Sequence, residues 1–289
     1  MELRVLEYFI AVAREQNISR AAEYLHLTQP TLSRQLKDLE NEFGKQLLVR
    51  GKRKVTLTDD GAVFRKMAEE IVSLANRAKN EMTNTSATVA GDIYIGSGES
   101  FSIRHIMKAA HTVQTEYPDV HFHFTSGDGE DLAERLDKGL FDFCILYGEV
   151  DKSKYEYLEL PFAETWGLLM PDDVPLAKKE FVNTEDLWDL PLIFSRQTIT
   201  STRFLQWIGK SEKELNIVNT YNLVYNAALM AETKMGYVIT LDHLVNTNGT
   251  NLCFKRIMPL RELQLFLVWK KYRKQSKAAE IFKNELQTK

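Results

Sequence analysis

The chain has 289 residues, of which 44% are hydrophobic and 27% charged, and its net charge is -3. This length predicts two compact domains, or three if one is small, and 14 Gly and 7 Pro exclude a collagen-like or low-complexity chain. No stretch approaches the ~18 apolar residues of a membrane span, and residues 1–4 begin no signal-peptide pattern. Cys144 and Cys253 lie in apolar runs, so we expect reduced, buried thiols in a cytoplasmic protein.

Basic side chains are concentrated near the N-terminus. Residues 1–58 contain ten Lys or Arg and seven Asp or Glu, and within residues 28–58 the counts are seven and three. A basic segment on an otherwise acidic chain indicates an anionic partner. The alternative is an ordinary solvated face.

The N-terminal residues predict three short helices. Apolar side chains recur at helical spacing over residues 2–15. Ser19 is the predicted N-cap of a second helix, residues 20–25, and Thr28 that of a third, with Pro30 in its first turn. The alanines of the second helix allow the third to cross it closely, as in a helix-turn-helix.

The predicted third helix has an apolar and a polar face. Leu32, Leu36 and Leu39 share the inward face, because they are spaced at i, i+4 and i+7. The outward face carries Pro30, Ser33, Arg34 and Lys37, flanked by Gln29 and Thr31. Arginine can bond guanine, glutamine can bond adenine, and hydroxyls can hold phosphates. A solvated polar face is again the alternative from this helix alone.

A basic turn follows the third helix. Residues 46–50 and 55–58 are short extended runs on either side of it, which predicts a β-wing. The wing carries four basic side chains, Arg50, Lys52, Arg53 and Lys54. They are placed to contact phosphate or to enter the minor groove.

Residues 18–61 resemble the LysR-type transcriptional regulators. The resemblance is carried by Ile18 to Leu25, Thr28 to Leu36 and Leu57 to Gly61, and it extends over essentially the whole chain. It implies a mostly bacterial DNA-binding regulator with a small-molecule effector and no enzymatic activity or cofactor. It also implies a homodimer or homotetramer and contact with RNA polymerase. Leu48 departs from the Phe usual in the family, which should affect wing packing more than DNA contact.

Residues 59–88 predict a long linker helix ending in a polar hinge. Apolar residues recur at helical spacing from Val63 to Ala78. Such a helix can pack on its own chain or pair with a second copy. The resemblance favours pairing, which would present two reading helices to a two-fold-related DNA site.

From Asp92 onward, strands alternate with helices, which predicts a mainly parallel sheet covered on both faces. The predicted strands are 92–96, 120–124, 141–146, 166–170, 191–194, 217–220, 237–239 and 263–269. The predicted helices are 101–117, 130–138, 202–208, 225–234 and 276–286. The fold class is therefore α plus α/β, with a winged helix-turn-helix (1–58), a linker (59–88) and an effector domain (89–289). The resemblance implies two periplasmic-binding-protein-like lobes, about 89–160 with 266–289, and 161–265.

Polar segments follow several predicted strands and should line a cleft between the lobes, since ligands sit at the carboxyl ends of such strands. The candidate effector contacts are Ser97, Glu99, Ser100, Ser126, Gly127, Ser195, Arg196 and Thr200. The N–H groups after the first strand could bind an anion, and Arg196 could pair with a carboxylate. Turn and cap formation is the alternative for each. Glu99 and Asp128 disfavour a strongly anionic ligand, leaving amphoteric or neutral effectors open.

Motifs of enzymatic chemistry are absent from the sequence. Residues 96–101 begin like a dinucleotide fingerprint, but Phe101 occupies the third glycine position. His121 and His123 share a strand face without a third metal ligand in sight, so a half-exposed face is the simpler interpretation. Lys234-Met235-Gly236 and Leu241 depart from the family's usual Gly-x-Gly and Pro, which bears on effector identity. Two rival functions stay open: a small-molecule-binding or transport-type protein whose N-terminal helices only dimerise, and a cytoplasmic enzyme that uses the cleft.

Overall fold

The computed structural model describes residues 1–51, 54–83, 89–200 and 203–287. The chain divides into two compact units, Met1–Ser86 and Ala87–Lys289. Several predictions fall outside the described residues: Lys52 and Arg53 of the wing, most of the polar hinge, and the start of the helix predicted from residue 202.

The first unit is a winged helix-turn-helix followed by a long helix. Its elements are α1 (Leu3–Glu15), α2 (Ile18–Tyr24), α3 (Gln29–Phe43), β1 (Leu48–Arg50), β2 (Val55–Leu57) and α4 (Asp59–Thr83). Leu32, Leu36 and Leu39 are buried as their spacing predicts, and α3 packs against α2, where Ala21 and Ala22 are buried. The antiparallel strands β1 and β2 form the wing.

The cap of α2 differs from the sequence prediction. The helix begins at Ile18, and its N-cap is Asn17, not Ser19. The Asn17 side-chain oxygen accepts a hydrogen bond from the Arg20 N–H at 3.1 Å. Because Asn and Ser cap equally well, only the backbone geometry decides between neighbouring candidates.

One face of α4 packs on its own unit, and another apolar face does not. The Phe64 ring meets Phe9 of α1 edge-on, with centroids 5.0 Å apart, and Ala68 is fully buried. Val63, Met67 and Ile71, called here the α4 stripe, are 59%, 53% and 40% exposed. The helix therefore makes the own-chain contact and still leaves an apolar stripe uncovered within the single chain.

The second unit is an α/β domain of two lobes. Its strands are β3 (Gly91–Ser97), β4 (Val120–Ser126), β5 (Phe143–Tyr147), β6 (Tyr155–Pro171), β7 (Val182–Asn183), β8 (Leu192–Ser195), β9 (Ile217–Tyr221), β10 (Tyr237–Leu241), β11 (Leu252–Met258) and β12 (Glu262–Lys270). Its α-helices are α5 (Ile103–Glu116), α6 (Gly129–Asp137), α7 (Arg196–Thr200), α8 (Arg203–Ile208), α9 (Val224–Glu232) and α10 (Lys277–Gln287). In the described part of the chain no helix is long and apolar enough to cross a membrane.

Two long strands join the lobes. The sheet order is β4-β3-β5-β12-β6 in lobe I and β6-β10-β8-β9 in lobe II, with β11 beside β6. The outer strands pair in parallel, but β6 and β12 pair antiparallel to their neighbours, so the predicted mainly parallel sheet is in fact mixed. The sequence prediction also missed the first half of β6 and all of β7, β11 and α7. Within residues 155–165 of β6 only Tyr155, Leu160 and Glu164 are buried, and their irregular spacing gives no strand period to detect.

Candidate nucleic-acid interface and ligand cavity

The outward face of α3 displays most of the side chains that the sequence predicts for DNA contact. Gln29, Pro30, Thr31, Arg34 and Lys37 are exposed. The Arg34 side chain is 84% exposed, and its guanidinium lies 3.9 Å from the Asp38 carboxylate. A surface pair at that distance contributes little, so Arg34 can exchange it for another acceptor.

The N-cap of α3 is the predicted residue, but its side chain does not cap the helix. Thr28 is the N-cap and Pro30 lies in the first turn, but the Thr28 hydroxyl caps no backbone N–H. It lies 2.8 Å from the Thr31 hydroxyl instead. The first N–H groups of α3 therefore lack this side-chain cap, in the position where helix N-termini contact phosphates.

The structure places Ser33 and Arg50 together. The Arg50 guanidinium donates to the Ser33 hydroxyl and to the Glu40 carboxylate, each at 3.3 Å. Glu40, whose side chain is 14% exposed, also accepts the N–H groups of Leu47 and Leu48 at 2.8 and 2.9 Å. The sequence assigned Arg50 and Ser33 separately to DNA. Their contact ties the wing to α3, and no sequence pattern marked Glu40.

The wing turn is tight and basic. The Gly51 N–H donates to the Lys54 carbonyl at 3.0 Å. A Cβ on Gly51 would lie 2.8 Å from that same oxygen, so the turn requires glycine. Lys54 is exposed, whereas Lys52 and Arg53 lie outside the described residues.

The second unit contains a cavity of about 680 Å³ between its lobes. Four predicted contacts, Glu99, Ser126, Gly127 and Ser195, line it. Ser97 and Ser100 line a smaller cavity of about 240 Å³, in which Glu99 and Ser126 also take part. Arg196 is exposed and is not among the residues lining either cavity. The side chain of Thr200 lies outside the described residues.

The predicted anion site at the start of α5 is filled by a carboxylate of the chain itself. The Ser102 N–H donates to Glu164 Oε1 at 2.8 Å, and the Ser100 hydroxyl donates to the same oxygen. Glu164 is only 4% exposed and lies on β6. The Ser97 hydroxyl is likewise engaged, donating to the Gly98 carbonyl at 2.7 Å. The Ser97 and Ser100 hydroxyls and the Ser102 N–H therefore already have acceptors within the chain, and a bound anion would have to displace them.

The first N–H groups of α9 and α7 also have side-chain acceptors within the chain, a carboxylate for α9 and a hydroxyl for α7. Glu99 of lobe I accepts the Val224 N–H of lobe II at 2.6 Å, bridging the cleft. The Ser195 hydroxyl accepts the Thr198 N–H at 3.1 Å and lies 2.6 Å from the Thr198 hydroxyl. A second bridge joins the Arg203 guanidinium to the Glu149 carboxylate at 3.2 Å.

Aromatic residues form much of the cavity wall, and the sequence did not single them out. They are Tyr147, Trp166, Phe204, Trp207, Tyr221 and Phe266. Burial raises the pKa of Tyr221 to about 12 and also raises the pKa of Tyr147, so both phenols are neutral at physiological pH. Arg203 and Arg261 also line the cavity. No motif marks these residues, because they are scattered from 147 to 266 and resemble ordinary core and loop positions.

Gly98 permits this wall to form. A Cβ at position 98 would lie 2.8 Å from the Tyr147 ring, whose hydroxyl donates to the Glu99 carbonyl at 3.2 Å. The glycine therefore serves close packing, and no phosphate is needed to explain it.

The other candidate groups from the sequence are a histidine on β4 and the two cysteines. His123 Nε2 lies 3.0 Å from an Asp92 carboxylate oxygen, and its ring stacks on Tyr94. Cys144 and Cys253 are free thiols. Cys144 is buried, which raises its pKa to about 12, whereas Cys253 is only half-buried, contrary to expectation. No cluster of three potential metal ligands occurs among the residues that the structure describes.

Two family models together cover nearly the whole chain. The model for bacterial regulatory helix-turn-helix proteins of the lysR family matches residues 3–62. The model for the LysR substrate binding domain matches residues 86–289.

Individual relatives agree with these models. HcaR, the hca operon transcriptional activator of Escherichia coli, is 28% identical over 94% of this chain and 92% of its own length. BsdA, a transcriptional regulator of Bacillus subtilis, is 32% identical over 68% of this chain and 67% of its own. The crystal structure of CbnR, a LysR family regulator, superposes with a TM-score of 0.78 at 20% identity, covering 100% of this chain and 99% of CbnR.

Proposed function

Because the chain belongs to the LysR family of transcriptional regulators, we propose that it reads its operator through the outward face of α3. The chain is a DNA-binding transcription factor with an effector-binding domain, and it is not an enzyme. Its winged helix-turn-helix is followed by a C-terminal α/β domain.

The observation that carries the proposal is the two-faced packing of α3. Three leucines are buried on one side, while Gln29 and Arg34 on the other are exposed. In this arrangement Gln29 and Arg34 meet base edges, and Thr31 and Lys37 contact base edges or phosphates. Arg50 positions Ser33 and the wing, and Lys54 supplies a flanking phosphate contact.

We further propose that a small molecule binds the cavity between the lobes and modulates DNA binding or activation. Coupling requires that this effector bind two arrangements of the protein with different affinities. The α4 stripe pairs with a second copy of the chain, and dimers join as tetramers. We place this assembly in the cytoplasm and propose that it contacts RNA polymerase. CbnR has also been crystallised with its target DNA, which supports the DNA-binding part by analogy.

The experiment that tests DNA reading is retention of genomic fragments from the source organism by the purified full-length protein. We expect sharp peaks of retained sequence, and an added effector should change their footprint or bend angle. Retention of random fragments only, with and without extracts containing small metabolites, would contradict site-specific reading. An unchanged footprint and bend on ligand binding would contradict the coupling.

A further inference from the structure

The charged groups around the large cavity are mostly acidic. Among the described residues, its lining includes the carboxylates of Glu99, Asp128, Glu149 and Glu262, against the guanidinium groups of Arg203 and Arg261. In a partly enclosed space of low dielectric, these carboxylates repel an anion more strongly than they would in water. The balance of charge therefore disfavours a ligand whose only charge is negative.

Most groups that could attract an anion are already engaged with the protein itself. The N-terminus of α9 holds the Glu99 carboxylate, and that of α5 holds Glu164. Arg203 is paired with Glu149 across the cleft. An anion that bound at any of these three groups would displace a carboxylate of the chain. Arg261 is a base that lines the cavity and has no side-chain partner in the part of the chain that the structure describes.

Two acidic groups are left available. Asp128 is half-buried and immediately precedes α6, but its side chain makes no capping hydrogen bond to that helix. Within the described ranges, neither Asp128 nor Glu262 has a side-chain hydrogen bond or ion pair. Asp128 is thus a partly desolvated carboxylate without a partner, which a cationic group of a ligand would stabilise, whereas Glu262 is exposed.

The aromatic part of the cavity wall suits a cation on an apolar body. Phe204 contacts Trp166 and Trp207 edge-on, with ring centroids 5.1 and 5.3 Å apart, so the three rings are continuous. Aromatic faces attract ammonium groups and also cover apolar surface. Acid and aromatic groups thus line the same cavity.

From this arrangement we infer that the effector is a small molecule carrying a protonated amine on an apolar body. Asp128 and Glu262 recognise the amine, and the rings of Trp166, Phe204 and Trp207 enclose the body. The inference rests on the proposed function, in that it takes the cavity as the effector site. A free amine and a zwitterion share this chemistry, and Arg261 is the group that would favour the zwitterion.

Four probes that share a phenyl ring on a two-carbon chain separate these chemistries: 2-phenylethylamine, phenylalanine, 3-phenylpropanoate and 2-phenylethanol. Each is titrated into the full-length protein by calorimetry and by thermal unfolding. We expect 2-phenylethylamine or phenylalanine to bind and raise the unfolding temperature. The neutral alcohol should bind about tenfold more weakly or worse, since it lacks the charge-assisted contact, and the propanoate should bind weakest.

Asp128→Asn tests the contact directly. It should weaken binding of the amine by about tenfold while leaving the alcohol unchanged. Asp172→Asn is the matched control, because Asp172 is an exposed carboxylate of the same unit that does not line the cavity. If Asp128→Asn weakened the binding of amine and alcohol equally, Asp128 would have a merely structural role, and its assignment to the amine would be overturned.

Tighter binding of the propanoate than of the amine, or binding of none of the probes, would overturn the inferred class. Retention of genomic DNA by the same preparation separates the two proposals. Sharp DNA peaks without amine binding refute the ligand class alone, whereas amine binding without sequence-specific retention refutes the DNA-reading proposal alone.

Discussion

At the scale of single residues, exposed and engaged side chains have different roles in the first unit. Arg34 is exposed on α3, and within the described ranges its ion pair is a long contact with Asp38. Arg50 is held between Ser33 and Glu40, although both arginines carry the same charge in the sequence. Base reading needs a group that is free to reorient, so the structure favours Arg34 for that role and Arg50 for positioning.

Arg34→Ala should weaken binding to the operator by about 1–3 kcal/mol, because a bidentate contact to one base is lost. Fluorescence anisotropy on operator and random DNA at equal salt measures the difference. Lys54→Ala is the comparison, since loss of a phosphate contact should weaken both DNAs alike. Equal losses on the two DNAs for Arg34→Ala would refute its base-reading role.

Glu40→Ala should destabilise the first unit by about 1–3 kcal/mol, because two wing N–H groups lose their acceptor. Urea unfolding followed by circular dichroism measures the change. Glu42→Ala is the matched control on the same helix, because its side chain is 50% exposed and forms a surface pair with the N-terminal amine. Equal stability of the two variants would contradict this role for Glu40.

At the scale of elements, α4 has two apolar faces with different partners. Phe64 and Ala68 complete the core of the first unit, but the α4 stripe remains in water in a single chain. Three exposed large apolar side chains at helical spacing form the kind of surface at which proteins associate, and the proposed dimer would bury it.

Met67→Asp should shift the protein towards monomer, because a charge would be buried in the paired stripe. Light scattering on size-exclusion chromatography measures the mass. Ser73→Asp is the matched control, since Ser73 is exposed on the same helix and outside the stripe. A dimer that survives Met67→Asp unchanged would place the interface elsewhere.

The Glu99 carboxylate is a second element-scale feature, because it caps α9 from the opposite lobe. Glu99→Ala should lower the stability of the second unit by about 0.5–2 kcal/mol, the usual cost of losing a helix cap. Thermal unfolding measures this loss, with Glu116→Ala at the exposed end of α5 as the control. No difference between the two variants would mean that the bridge contributes nothing to stability.

At the scale of the whole molecule, a chain with a net charge of -3 has to bind a polyanion. The N-terminal excess of basic side chains makes this possible, since DNA responds to local charge more than to the total. Binding through several phosphate contacts releases counterions.

Operator affinity should therefore fall steeply between about 50 and 200 mM salt, with a linear dependence of log K on log salt. Anisotropy titrations across that range measure the slope, and Lys54→Ala should reduce its magnitude by about 1. A flat salt dependence would contradict phosphate contact by the wing and α3.

The sequence alone determined the winged helix-turn-helix, because its pattern is local. Leu32, Leu36 and Leu39 and the basic turn lie within about thirty residues, where helical and strand periods fix which side chains face inward. The alternation of strands and helices after Asp92 likewise predicted an α/β domain, and the family resemblance implied that it has two lobes. The resemblance to the LysR family is carried by the same N-terminal motif and was therefore also visible in the sequence.

Only the tertiary structure decided which polar groups have internal partners. Glu164 reaches Ser102, and Glu99 reaches Val224, from 62 and 125 residues away. Long-range pairing also set the full length of β6 and the presence of β11, and it gathered the aromatic wall of the cavity. These contacts depend on how distant segments meet, and sequence periodicity carries no information on that.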